Sequence, residues 1–274
     1  RPPRSTLFPY TTLFRSFLIT VIALAALVLQ TGTAKGDVIR DGLVSYWTFD
    51  KADVVGKKVE DVVGKHDGEM VGKPNIVEGK FGEAIVLRGP ATNGDHVKVS
   101  SLDISPPKYP DITLMAWVYP TTFGTGAQAN RRFVFGHDNG GCDRAILMKD
   151  KGWRMGTGFR GDPKCYWETG ASVDVDKWRH VAVVYQHKEK KITFYKDVKG
   201  YAFDEDSNLY PSGHPFLLIG AHPNMQRRFE GLIDDAAVYD RALSQDEIKS
   251  TAEGLTVEVA DKLALTWGEV KSSR

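Results

Sequence analysis

The side chains of this 274-residue chain that could do chemistry are a few carboxylates, seven histidines, two cysteines and three loops mixing cations with aromatics. The most unusual are Asp234 and Asp235, set inside "GLIDDAAVYDRALSQDEI" (231–248). Apolar residues flank both, as in a strand entering a core. Alternate side chains of a strand share a face. Leu232, Asp234, Ala236 and Val238 are therefore expected on the apolar face, and Asp235 on an opposite, solvent-exposed one. A carboxylate buried without a partner costs several kcal/mol, so Asp234 must be neutralised or well hydrogen-bonded.

No catalytic constellation emerges. A retaining glycosidase needs two carboxyl groups about 5–5.5 Å apart, and no Glu-x-Asp-x-Glu alternation supplies them. The acidic cluster "DEDSN" (204–208) has no apolar alternation and reads as a solvated turn. It opens like a calcium loop, but Leu209 stands where the required Gly belongs and Pro215 where the closing Glu belongs. No His-x-x-x-His or Cys-x-x-Cys spacing signals zinc. His180 follows Trp178 at strand spacing, and cross-strand packing accounts for it. There is no Gly-x-Ser-x-Gly elbow and no phosphate-binding Gly loop. Binding is the remaining class. The loops "QANRRF" (128–133), "GDPKCYWE" (161–168) and "HPNMQRRF" (222–229) offer Arg131, Arg132, Tyr166, Trp167, Arg227 and Arg228. Aromatic faces suit sugar stacking and guanidinium groups suit carboxylates. The alternative is that they pack the ends of the fold.

The elements that must position these groups are short. They are rich in Val, Ile, Phe, Tyr and Trp and punctuated by Gly, Asp, Asn and Pro, the pattern of many antiparallel strands. "GLVSYWTFD" (42–50), "AIVLRG" (84–89), "HVKVS" (96–100), "ITLMAWVYP" (112–120), "RFVFGHD" (132–138) and "PFLLIGA" (215–221) are expected strands. "AILMKDKGWRMGTGF" (145–159) and "WRHVAVVYQHKEKKITFYKD" (178–197) are expected hairpins. Only "SQDEIKSTAEG" (244–254) reads as helix, with Ser244 and Glu247 spaced as a capping box and Gly254 as its stop. Many strands, one helix and no strand–helix alternation predict an all-β fold: a two-sheet antiparallel β-sandwich with one short C-terminal helix.

Residues 1–16 repeat themselves ("STLF", "TTLF") and read as non-native, adapter-like sequence. Phe17–Leu29 is a 13-residue apolar run, too short for a bilayer span and right for a signal peptide over 17–34, cleaved after Ala34; an uncleaved anchor is the alternative. The folded domain is then 37–254, and 255–274 is a tail. Without the three arginines of residues 1–34, 33 basic residues stand against 35 acidic, a net charge of −2. That balance gives no electrostatic case for nucleic acid or an anionic membrane. Export favours pairing of Cys142 with Cys165, two free buried thiols being the alternative.

"GLVSYWTFD", "GKFGEAIVLRG", "ITLMAWVYP", "WRHVAVVY" with "ITFYKD", and "FEGLIDDAAVYDRALSQDEI" resemble, in this order, the laminin G-like branch of the concanavalin A-like lectin/glucanase jelly rolls. The resemblance spans 42–254, with "KDVKG" (196–200) where relatives carry an Asp-Gly turn. It implies a structural calcium at the sandwich rim, with Asp234 as a ligand and Asp50 helping. The competing account is that backbone N–H groups hold Asp234 with no metal. The resemblance also implies a secreted, non-catalytic recognition module for glycan or an extracellular protein. A jelly-roll glycoside hydrolase with an atypical carboxylate pair and a structural or adhesive surface protein are the alternatives.

Overall fold

A computed structural model describes residues 39–89, 94–123, 131–137, 144–156, 166–204, 216–223 and 227–253. The expected signal peptide, the tail, Cys142 and Cys165 lie outside these residues. The chain runs through β1 (Leu43–Trp47), β2 (Val54–Val55), β3 (Lys58–Val59), β4 (Gly68–Val71), β5 (Asn75–Glu78) and β6 (Glu83–Arg88). It continues through β7 (His96–Val99), β8 (Ile112–Pro120), β9 (Arg131–Gly136), β10 (Ala145–Lys149), β11 (Gly152–Gly156) and β12 (Tyr166–Ser172). It ends with β13 (Arg179–Gln186), β14 (Lys191–Lys196), β15 (Lys199–Asp204), β16 (Leu217–Ile219), β17 (Glu230–Tyr239) and the helix α1 (Gln245–Ala252).

Two antiparallel sheets form a sandwich. One is eight-stranded, ordered β15-β14-β13-β8-β17-β6-β5, with β1 paired to the far half of β17. The other is nine-stranded, ordered β12-β11-β10-β9-β16-β7-β4-β3-β2. Alternation explains the layers. In β8, Leu114, Ala116 and Val118 enter the core between the sheets, while Met115 faces outwards beneath α1 with Ala182, Val184, Ala237 and Ile248. In the nine-stranded sheet, Phe135, Ile146, Met148, Trp153 and Met155 enter the same core. Leu147 and Phe133 face the other way and form a separate small cluster with Ala145.

The helix starts as its sequence requires: the Ser244 hydroxyl accepts the Glu247 N–H and the Glu247 carboxylate accepts the Ser244 N–H. These bonds satisfy two of the donors a helix start leaves orphaned. The β14–β15 hairpin closes over Asp197 and Val198, with Asp197 at φ 54. A short-chain Asp tolerates that left-handed conformation, so the turn closes with Val198 where an Asp-Gly turn would carry glycine. Among the described residues no helix is long and apolar enough to cross a membrane.

Candidate functional site

Two places gather the chemistry. The first surrounds Asp234. Strand β17 pairs with β8 in one register through Asp234↔Trp117 and resumes at Ala237↔Met115, so the register shifts between Asp234 and Ala237. Asp235, at φ 48, absorbs the shift. The extra residue turns the alternation over. Ile233, Ala236 and Val238 enter the main core, and Asp234 lies with Trp117 on the outer side of the sheet. The expectation that Leu232, Asp234, Ala236 and Val238 share one apolar face is therefore corrected: strict period-2 reading fails at a bulge. Asp235 is corrected as well. It is only 4% exposed and accepts a hydrogen bond from the Tyr46 hydroxyl.

The β5–β6 turn serves both remaining acids. Asp234 Oδ2 accepts N–H groups of Lys80 (2.8 Å) and Phe81 (3.0 Å), and Asp50 Oδ1 accepts the N–H of Glu83 (2.8 Å). A Cβ at Gly79 or Gly82 would collide with the carboxylate of Asp234 or Asp50, so "GKFG" (79–82) brings bare backbone against both. Asp234 is fully buried. Burial pushes its carboxyl up to about 7, against the pull of the Phe81 and Lys80 amides, and Asp50 adds to the rise. Among the described residues its Oδ1 has no hydrogen-bond partner of good geometry, although the backbone N–H of Asp235 also pulls the carboxyl down.

Two other buried acids of this domain, Asp61 and Asp95, are better satisfied. Asp61 takes backbone N–H groups of Tyr46, Val63, Gly64 and His66, and Asp95 takes Lys73 N–H and Arg88 Nε. Backbone donors thus hold one oxygen of Asp234, and its other oxygen is buried near the carboxylate of Asp50. Among the described residues no group of three His, Cys, Asp or Glu side chains could hold a metal ion. A calcium ion there would draw its remaining oxygens from backbone carbonyls and water.

The second place is the outer face of the nine-stranded sheet. Arg131 on β9 lies opposite Lys149 on β10, Lys149 opposite Gly152 on β11, and Arg154 opposite Glu168 on β12. These residues line or adjoin a shallow groove of about 320 Å³ walled by Lys149, Arg154 and Glu168 and floored at Gly152 and Gly170. Arg154 and Glu168 are paired at 2.6 Å. Beside the groove the Arg131 guanidinium sits 5.0 Å from the centre of the Tyr166 ring. Tyr166 packs edge-on to Phe133, and its hydroxyl lies 3.5 Å from His222 Nε2. The backbone of Arg228 pairs with Phe133 and Ala221. Burial first, then the nearby Arg227, lowers the pKa of Arg131.

Three of the six loop residues singled out by sequence therefore gather here: Arg131, Tyr166 and Arg227. Arg228 turns its guanidinium to Gly94, just before β7, and Arg132 and Trp167 each follow a gathered residue by one, so alternation turns them inwards. Arg132 lies opposite Met148 and is 2% exposed. Trp167 lies opposite Met155 and closes the sandwich edge against Phe203 (5.6 Å). Sequence reasoning missed Lys149, Arg154 and Glu168. The signal was present in "KDKGWRMG", where Trp153 and Met155 alternate with Gly152 and Arg154.

A smaller pocket of about 120 Å³ lies under the end of α1, lined by Trp117, His180, Val198, Ala252 and the charged Asp197, Lys249 and Glu253. His180 is 1% exposed, and burial holds its imidazole down to about 4. It packs edge-on to Trp117 (5.6 Å), the core role expected of it.

The chain belongs to the laminin G-like family of the Concanavalin A-like lectin/glucanases superfamily, whose model matches residues 91–249. Strands β1 and β6 precede that match and pair with β17 inside it. No curated protein matches the chain. Solved structures share the fold at low identity. Domain 4 of AbnA, an extracellular arabinanase from Geobacillus stearothermophilus in complex with arabinotriose, is 16% identical with a TM-score of 0.57, over 77% of this chain and 98% of that one. Trypanosoma rangeli sialidase in complex with the inhibitor DANA is 15% identical with a TM-score of 0.58, over 89% of this chain and 39% of that one. The binding domain of botulinum neurotoxin DC, in complex with SialylT, is 10% identical with a TM-score of 0.56, over 79% of this chain and 52% of that one. The chain thus spans an entire arabinanase domain but about half of the toxin domain and less of the sialidase.

Proposed function

We propose that this domain is a secreted, non-catalytic recognition module that binds glycan across the outer face of the nine-stranded sheet. The observation that carries the reading is the groove over β10–β12, open at Gly152 and Gly170 and continued by Arg131 on Tyr166. The polar wall of Lys149, Arg154 and Glu168 offers hydrogen bonds over a floor opened by two glycines, and the Arg131–Tyr166 pair extends it with a further guanidinium, donors and acceptors of the kind sugar hydroxyls require. Structures of the same fold carry arabinotriose and SialylT, which lends analogy. A glycan array followed by incubation with the ligands it finds tests the reading. Selective binding with no new reducing ends supports it. Product release favours a hydrolase, and no sugar bound favours a protein partner or an adhesive role.

Calcium at Asp50 and Asp234 is part of the proposal. The buried Asp234 Oδ1 and the neighbouring Asp50 carboxylate fit a hard cation, which would offset their repulsion. It would fasten the end of β1 to β17 through the 79–83 turn. Its test is the melting temperature with calcium and with chelator. A rise with calcium that Asp234→Asn abolishes supports the ion. A curve that neither calcium nor chelator moves leaves Asp234 to its backbone donors.

A further inference from the structure

We infer that the sugar recognised on this face is acidic, and that Arg131 takes its carboxylate. The inference rests on the glycan reading above and adds the ligand's chemical class. Arginines in this domain are commonly given a carboxylate: Arg88 has Asp95 (2.8 Å), Arg154 has Glu168 (2.6 Å), Arg179 has Asp174 (2.8 Å) and Arg241 has Glu247 (2.6 Å). Arg131 is different. It is half-buried on the outer face, and among the described residues its guanidinium meets the Tyr166 ring and no carboxylate.

Its surroundings increase the contrast. Arg227 and Arg154 lie close enough to lower its pKa, and the Glu168 carboxylate is already engaged by Arg154. A guanidinium taken partly out of water among like charges is costly unless an anion meets it. A planar guanidinium presents two parallel N–H donors that match a carboxylate in bidentate fashion. Stacking on Tyr166 holds that plane before any ligand arrives, so little side-chain freedom is lost on binding. The position is also right. Arg131 is the cross-strand neighbour of Lys149, which walls the groove, so a sugar lying in the groove extends its substituent to Arg131. Along the same edge Lys149 and Lys151 flank Asp150, which leaves one net positive charge there.

The test compares acidic sugars with their neutral counterparts by titration calorimetry on the intact domain. Oligogalacturonate is set against the carboxyl-reduced oligomer, sialylated lactose against lactose, and a sulfated oligosaccharide is the third arm. At least one carboxylate ligand should bind about tenfold or more tighter than its neutral counterpart at low salt, as expected of a charge-assisted bidentate pair. The gap should narrow as salt rises, since the site is partly exposed. Arg131→Gln should bring the acidic ligand to the neutral affinity. Arg131→Lys, which keeps charge but loses the fork, should restore only part of it. Both variants are checked for an unchanged melting temperature. Equal binding of acidic and neutral sugars, untouched by Arg131→Gln, overturns the inference and leaves the glycan reading standing. Preference for the sulfated sugar over both carboxylates overturns the carboxylate assignment. If the folded domain binds no sugar at all, the glycan reading itself has failed.

Discussion

The Tyr46 hydroxyl donates a hydrogen bond to the Asp235 carboxylate, and both residues are buried. A hydrogen bond to a charged acceptor contributes about 1.5–3 kcal/mol, and losing its donor exposes the acceptor's desolvation cost. Tyr46→Phe should lower the stability measured by urea unfolding by about that amount. Asp235→Asn should also destabilise, yet leave any calcium response in place, because Asp235 engages Tyr46 rather than the turn that holds Asp234 and Asp50. A calcium shift lost in Asp235→Asn and kept in Asp234→Asn would reverse that assignment. The sequence marks this pair as unusual, since two acids interrupt an apolar run. What it hides is the bulge: period-2 alternation assigns faces only while the register holds, and the register breaks at these residues. Arg132 and Trp167 show the same limit from the other side. Their types suit binding, but the strand phase that turns them inwards is set by partners far along the chain.

At the scale of elements, the long strands, both hairpins and the helix were legible because each carries a local signal of alternation, turn residues or capping. The short strands β2 to β5, the Gly- and Thr-containing β12 and the outer strand β15 (Lys199–Asp204) were not, since short length and mixed composition leave little periodicity to read. The capping box of α1 predicts that Ser244→Ala costs about 1 kcal/mol, measurable by denaturation. His180, on β13 beneath α1, gives a pH dependence. Its folded-state pKa of about 4 lies below the ordinary value of 6.5, because burial disfavours the imidazolium. The folded state therefore favours the neutral ring. That contribution is complete above pH 6.5 and is lost as pH falls towards 4. The urea midpoint should fall across this window, and His180→Phe should flatten the fall. An unchanged slope in the variant would show that other groups govern acid stability.

For the whole molecule, the sandwich separates two tasks. The eight-stranded sheet carries α1 and, at Asp50 and Asp234, the carboxylates that meet the 79–83 turn beside β1 and β17. The outer face of the nine-stranded sheet carries the groove and the Arg131–Tyr166 pair proposed to take the ligand. Cys142 and Cys165 flank the β10–β11 hairpin in sequence, and their pairing would close a loop worth roughly 3 kcal/mol in the chain-entropy model. Mass spectrometry of the non-reduced protein should show two hydrogens missing, and two alkylated thiols would contradict the pairing. The fold alone does not say what is bound, so the central claim is that the groove takes glycan. Gly152 offers the most direct measurement. A Cβ there makes only ordinary contacts, 3.9 Å from backbone oxygens, so a large side chain can enter the groove without disturbing the core. Calorimetric titration of the glycan selected on an array should show saturable binding to the native domain. Gly152→Trp, with its melting temperature preserved, should reduce that affinity more than tenfold, an effect of at least about 1.4 kcal/mol. Undiminished affinity in the folded Gly152→Trp protein would place the glycan elsewhere and contradict the account.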